Sequence, residues 1–330
     1  MPRVLCLFLD GVGLGEADPA RNPFFRARLP TLSSLLGGTP PHGNHPRLEG
    51  LPRLEGHPPT GFAPPGAAEP PGLPPHPEPP WAARLFGLDA TLGVEGLPQS
   101  GTGQITLLTG INAAREHGSH FGPWPPVGLR PLLERENLFR ALKSRGRRVR
   151  FANAYPDGYP DGVPSRRVAA PPLAARSAGI LVAGPAALRR GEAVASEIDN
   201  EGWRRWTGRT DFPRVTPEEA GGTLAHLSTE ADLTFFAHYA TDTAGHRGGA
   251  TGAIAALERV DAFLAGIMAI LDPETVVVIA SDHGNVEALG VGHTRNPALG
   301  MVIGAPDVVA RFPSLGSLMD LVPAVMETVG

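Results

Sequence analysis

Val4-Leu5-Cys6-Leu7-Phe8-Leu9-Asp10-Gly11 stands near the start of the chain, and far downstream Val276-Val277-Val278-Ile279-Ala280 runs into Ser281-Asp282-His283-Gly284. An apolar run that does not alternate with polar residues reads as a strand buried on both faces, the signature of a parallel sheet covered by helices. In an open α/β sheet, ligands collect in the crevice outside the carboxyl ends of the strands. Two such strands that each end in a metal-type side chain therefore converge there. The same placement recurs along the chain: Asp10, Ser100, Asp242, His246, Asp282, His283 and His293 all fall at turns that follow apolar runs. Six potential metal ligands and one hydroxyl so placed read as a two-metal site.

The segments between these points alternate. Beyond the strand at 4–9 and a loop through Gly11, Gly13 and Gly15, a short helix is expected at Thr31–Leu36, a second near Glu136–Ser144 and a strand at Val149–Ala152. Gly179–Gly184 is apolar but too short to assign. Thr216-Pro217-Glu218-Glu219 forms a capping box with proline at the first helical position, so a helix is expected to about Leu227. A strand at Leu233–Tyr239, an amphipathic helix at Ala253–Leu271, a strand around Met301–Ile303 and a helix at Gly316–Thr328 complete the series. The fold expected is α/β: a mainly parallel sheet with helices on both faces, in one catalytic domain spanning 1–330. Within it, 112–230 reads as mixed core with room for a small cap.

Composition breaks the series once. From Gly37 to Pro80 the chain is dense in Pro and Gly and carries a small repeat, Pro46-Arg47-Leu48-Glu49-Gly50 followed by Pro52-Arg53-Leu54-Glu55-Gly56. With little to bury and many helix breakers, 37–80 reads as a flexible surface insertion, and its His42, His45, His57 and His76 as solvated.

The 330 residues suffice for a large core. A net charge of -4 and a pI near 6.3 provide no basic field for a phosphodiester backbone, which argues against nucleic acid as partner and for a small molecule. The opening apolar run is too short for a signal peptide or a membrane span, so a cytoplasmic protein without a membrane partner is expected. Cys6 is the single cysteine and sits mid-strand, where an inert buried thiol is expected. Lys143 is the single lysine, so any anion clamp must be built from arginine. Oligomeric state is not legible.

Leu97-Pro98-Gln99-Ser100-Gly101-Thr102-Gly103-Gln104-Ile105-Thr106-Leu107-Leu108-Thr109-Gly110 begins with a tight turn and continues at helical spacing, which puts Ser100 at a helix start. Backbone N–H groups and the helix dipole there favour an anion or a serine oxygen losing its proton. A plain capping serine explains this segment equally well, and Thr102 is a rival nucleophile.

Taken together, Asp10-Gly11, Ser100-x-x-Gly103, Asp242-x-x-x-His246, Asp282-His283-Gly284-Asn285 and His293-Thr294-Arg295-Asn296-Pro297 resemble the metalloenzyme branch of the alkaline phosphatase superfamily, whose best-known members are cofactor-independent phosphoglycerate mutase and phosphopentomutase. The motifs occur in the family's order. The resemblance implies one metal on Asp242, His246 and His293, a second on Asp10, Asp282 and His283, and Ser100 between them as ligand and nucleophile. It further implies transfer of a phosphoryl group from a small phosphorylated metabolite through a phosphoserine. Carboxylate and imidazole ligands without a thiolate suit two divalent ions, Mn²⁺ or Zn²⁺.

The chain departs from the family in two places. Gln104 stands where the mutases usually carry histidine, and the interval between Ser100 and Asp242 is too short for a full mutase cap. Substrate contacts are sought instead in Arg295, His117, His120 and Arg130, with Arg148, Arg166 and Arg167 as further candidates. The basic run Arg145–Arg150 reads as a solvated face, and Asn285 and Asn296 as turn formers. The reduced cap favours a phosphatase over a mutase, since a mutase must keep its dephosphorylated intermediate from water. Sulfate-ester or phosphodiester hydrolysis, or a metal-binding module without catalysis, are the competing readings.

Overall fold

The computed structural model describes residues 2–49, 81–161 and 167–330. Most of the Pro/Gly-rich stretch, with His57 and His76, and also Arg166, lie outside the described residues. Among the described residues seven strands, β1 (Arg3–Leu9), β2 (Leu48–Glu49), β3 (Ala82–Leu88), β4 (Val149–Phe151), β5 (Leu233–His238), β6 (Thr275–Ala280) and β7 (Ala298–Gly304), form one sheet in the order β2-β3-β7-β6-β1-β5-β4. The centre is parallel, with β1 between β6 and β5, and β4 and β2 are parallel to their single neighbours. The exception is β7, antiparallel to both β6 and β3.

The unbroken apolar runs have the expected cause. Val4, Cys6, Phe8, Val276 and Val278 pack into one core cluster with the helices Ser100–Thr109, Leu138–Ser144, Ala170–Ser177 and Leu321–Val329. Leu5, Leu7, Leu9, Val277 and Ile279 pack into the other with Pro30–Leu36, Pro217–Ser228 and Gly249–Ile270. Successive strand residues point to opposite faces, and both faces are covered. Cys6 is buried, and burial pushes its thiol up to about 12, so it is inert. On the second face two helices cross at close range: a Cβ on Gly221 would meet the Phe263 carbonyl, and one on Gly266 the Glu218 carbonyl. Asp261, buried in the middle of the long helix, accepts from Thr31 N at 3.1 Å and Leu32 N at 2.8 Å. It caps a helix whose preceding residue, Leu29, offers no side-chain cap.

Segment 112–230 divides its roles. Its helices Ala113–His117, Arg130–Arg135, Leu138–Ser144 and Ala170–Ser177 pack onto the first face, whereas Ala154, Leu188, Ala193, Ala195, Trp203 and Phe212 form a small apolar cluster of their own. Gly179–Gly184 forms neither helix nor strand. The capping box at Thr216 and Glu219 is present, and the helix runs Pro217–Ser228.

The near end of the insertion contradicts the composition. Leu48–Glu49 is an edge strand, held where Arg84 pairs with Glu49 at 2.7 Å. His42 and His45 are buried, not solvated: Phe25 packs edge-on against His42, and His42 against His45. Burial first, and then the neighbouring His42 charge, bring His45 down to about 4 from the ordinary 6.5, against the backbone of Thr39. The sign follows from linkage. A histidine with a depressed folded-state pKa contributes fully above about pH 6.5 and loses that contribution as the pH falls towards about 4, because the unfolded chain binds the proton first. The urea midpoint of the native chain is therefore expected to fall more between pH 7 and pH 5 than that of His45→Asn; parallel pH dependences would contradict the assignment.

Among the described residues no helix is long and apolar enough to cross a membrane.

Candidate metal centre

Register explains the site. Leu9 is level with His238 and Phe8 with Ala280, so β1, β5 and β6 end together and release Asp10, Tyr239 and Ser281 at one edge. Because β7 is antiparallel it starts at that same edge, and the loop before it carries His293. β3, antiparallel to β7 in turn, also ends there and leads to Ser100. Four connections thus deliver all seven residues to one crevice. One local expectation needs correction: Asp242 and His246 lie in a helix, Ala240–Arg247, rather than in a turn. Their spacing of four places both side chains on one helical face.

Asp242, His246 and His293 offer ligand atoms within 4.8 Å of one another, and so do Asp10, Asp242 and His283. Asp242 therefore belongs to both groups, which the sequence did not suggest. Its Oδ1 lies 3.5 Å from His246 Nε2, 3.7 Å from His293 Nε2 and 4.0 Å from His283 Nε2. Asp282 is fully buried behind them, with Oδ1 accepting from Gly11 N at 3.2 Å and Oδ2 3.7 Å from His283 Nε2. Gly11, at φ +66, is required: a Cβ there would lie 2.5 Å from Asp242 Oδ1.

Ser100 is the first residue of the helix Ser100–Thr109, and its Oγ lies 2.9 Å from His283 Nε2. His283 Nδ1 faces the Gly284 carbonyl at 3.2 Å and donates there, which turns the Nε2 edge of the ring towards the serine. Thr102 points elsewhere. Its Oγ1 donates to the carbonyls of Gln99 and Phe121 and accepts from Phe121 N at 3.2 Å.

The electrostatics ask for a cation. Burial disfavours a charged His283, but Asp282, Asp10 and Asp242 outweigh it and raise the ring to about 10. Burial also raises Asp10 and Asp282, while burial and the His283 charge hold His293 down to about 4. Asp10 Oδ1 and Asp282 Oδ2 are buried without a hydrogen bond. His293 Nδ1 donates to the Pro98 carbonyl at 2.9 Å, which leaves its Nε2 lone pair facing His246 Nε2 at 3.0 Å. Orphaned carboxylate oxygens and opposed imidazole nitrogens fit divalent ions with mixed oxygen and nitrogen ligands.

The supporting residues were mostly hidden in the sequence. Gln104 donates to Asp10 Oδ2 at 3.1 Å and accepts from Ala170 N at 3.3 Å, so the residue that departs from histidine touches a candidate ligand. Asn285 donates to Asp242 Oδ1 at 2.6 Å, fixing the shared carboxylate rather than merely shaping a turn. Glu287, buried and unforeseen, accepts from Thr294 Oγ1 at 2.7 Å, Asn296 Nδ2 at 3.0 Å, Gly13 N at 2.9 Å and Asn285 N at 2.7 Å. Its carboxylate ties the loops bearing Asp10, Asp282 and His293 together. Glu287→Gln puts an amide donor among four donors and is expected to weaken metal binding by roughly 10- to 100-fold, as loss of an outer ligand contact does; calorimetric metal titration of a folded variant with native affinity would refute this.

The substrate candidates are more scattered. His120 Nε2 donates to the carbonyls of Thr91 at 3.1 Å and Val94 at 3.3 Å, and Arg130 reaches the Pro125 carbonyl at 3.4 Å. His117 is exposed and edge-on to Phe121; Arg295 and Arg167 are exposed. Arg148 is exposed, and Arg150 pairs with Glu230 in the solvated run.

Residues 215–330 match the family model of the Metalloenzyme superfamily. That segment resembles the superfamily. It contains Asp242, His246, Asp282, His283 and His293, while Asp10 and Ser100 lie upstream. A 2,3-bisphosphoglycerate-independent phosphoglycerate mutase from Acetivibrio thermocellus is 34% identical over 110 residues, covering 31% of this chain and 21% of the relative. A phosphopentomutase from Symbiobacterium thermophilum is 38% identical over 92 residues, covering 26% of this chain and 22% of the relative. The alignments thus span less than a quarter of either curated relative. The PH0037 protein from Pyrococcus horikoshii shares the fold, with a TM-score of 0.52 at 14% identity over 99% of this chain and 96% of that one. Motifs and family match agree on an alkaline phosphatase-like metalloenzyme.

Proposed function

We propose that this metalloenzyme transfers the phosphoryl group of a small phosphomonoester to Ser100 and then to water. The observation that carries the reading is Ser100 Oγ at 2.9 Å from His283 Nε2, at the positive end of a buried helix and beside two ligand groups that share Asp242. Asp242, His246 and His293 would hold one divalent ion, and Asp10, Asp282 and His283 the second with Asp242 close to both. Mn²⁺ or Zn²⁺ bound there would supply charge that lowers the serine pKa and offsets the anionic transition state.

Ser100 Oγ then attacks phosphorus, the P–O ester bond breaks, and the alcohol leaves with its electron pair and takes up a proton. Gln104 and Asn285 keep Asp10 and Asp242 oriented while charge moves. Arg295, exposed and two residues from His293, would meet the phosphate. Water attacks the phosphoserine and frees phosphate. Hydrolysis is favoured over re-donation because Phe121 and Trp124, on the segment against the nucleophile's helix, are themselves exposed. The mutase relatives support the second reading, in which the phosphoryl group returns to a different hydroxyl.

A screen of phosphorylated metabolites with Mn²⁺ or Zn²⁺, following both free phosphate and positional isomers, tests both readings. Phosphate release with two metals per chain is expected. Isomerisation without phosphate would select the mutase, and neither product from metal-loaded protein would end the proposal.

A further inference from the structure

Eight large apolar side chains are exposed among the described residues, and four stand on the segments that border this centre: Leu97 (47%), Phe121 (41%), Trp124 (37%) and Val291 (69%). Their placement follows from backbone contacts. The Phe121 carbonyl accepts from Thr102 N at 2.9 Å, and a Cβ on Gly101 would strike the carbonyls of Phe121 and Trp124. A Cβ on Gly122 would lie 2.9 Å from Gln99 Oε1 and 3.4 Å from Ser100 N. The 121–124 segment therefore lies against the first turn of the nucleophile's helix. Leu97 precedes Pro98, whose carbonyl holds His293, and Val291 stands two residues before His293. Single exposed apolar residues are ordinary, but their concentration around a polar, charged centre calls for a ligand.

Two polar side chains of the same border are used internally. His120 is committed to two carbonyls and Arg130 to a third, while His117 stacks edge-on against Phe121 at 4.9 Å and extends the aromatic surface. A polyhydroxylated ligand would meet few directed partners here. An apolar one would cover exposed rings.

Resting on the phosphoryl-transfer reading, we propose that Leu97, Phe121 and Trp124 form the recognition surface for an apolar, aromatic group esterified to the phosphate. The substrate class is then aryl phosphomonoesters rather than small sugar or sugar-acid phosphates.

Binding separates this inference from the catalytic reading. Phenylphosphonate and methylphosphonate, whose C–P bonds offer no ester to break, are titrated calorimetrically into the 330-residue chain loaded with Mn²⁺. Phenylphosphonate is expected to bind at least about tenfold more tightly. Phe121→Ala and Trp124→Ala should bring that ratio towards one with methylphosphonate affinity unchanged, while Val182→Ala, at an exposed apolar site elsewhere, should leave it intact. Equal affinities in the native protein overturn the inference without recourse to any variant, as does absence of binding by either ligand. A dimer in sedimentation that Phe121→Ala dissolves, together with no phenyl preference, would identify the rim as a subunit contact and overturn it too. Phenyl preference without turnover of phenyl phosphate would leave the inference standing and remove the catalytic reading. Turnover with equal affinities would do the reverse.

Discussion

Ser100→Ala is expected to lower phosphate release by at least roughly 10²- to 10⁴-fold, the range for loss of an essential catalytic group, while Thr102→Val lowers it far less. The difference is geometric. Both hydroxyls lie in the first turn of one helix, yet Ser100 Oγ faces His283 and the ligand groups, whereas Thr102 Oγ1 is turned to the Gln99 and Phe121 carbonyls. Ser100→Ala removes an oxygen without filling or emptying much volume, so the fold should survive. Quenching during turnover and peptide mass analysis should find the phosphoryl group on Ser100. Its appearance on Thr102, or near-normal turnover by Ser100→Ala, would sink the covalent mechanism even if the metals bind as expected.

Asp242→Ala should have the broadest effect on metal. Because one carboxylate belongs to both ligand groups, its loss is expected to weaken both bound ions, each by more than the roughly 10- to 100-fold typical of an outer contact. His246→Ala, which touches one group only, should weaken one ion and spare the other. Titration with Mn²⁺ or Zn²⁺, together with elemental analysis after dialysis, distinguishes these patterns. The fold should persist in both variants, since two large core clusters rather than the metals hold the sheet. If Asp242→Ala retains one ion at native affinity, the shared carboxylate is not a bridge between the groups.

The sequence revealed those parts whose cause is local. β1 and β6 were readable because both faces are buried, which leaves an uninterrupted apolar run ending in a ligand. The helix Pro217–Ser228 was readable because its cap is written in four consecutive residues. β3 was missed because Arg84 and Gly87 interrupt its pattern; only in the fold does Arg84 find Glu49 and the Phe312 carbonyl. His42 and His45 misled for a related reason, as a Pro/Gly-rich composition says nothing about Phe25 packing over them. Gathering the seven candidate side chains required only the rule about strand ends. The sharing of Asp242, the bond from Gln104 to Asp10 and the four bonds to Glu287 depend on contacts between distant segments, for which a single sequence holds no signal.

The reversed direction of β7 has a consequence for how the molecule could be divided. β7 carries none of the seven candidate residues, yet it is the strand through which β3, and with it the path to Ser100, is joined to β6, β1 and β5, which deliver Asp282, Asp10 and Asp242. A chain cut just before Ala298 would retain every proposed ligand and the nucleophile. It would nevertheless part the sheet between the proposed nucleophile and the proposed ligands, so that the proposed chemistry depends on a seam of backbone hydrogen bonds that takes no part in it.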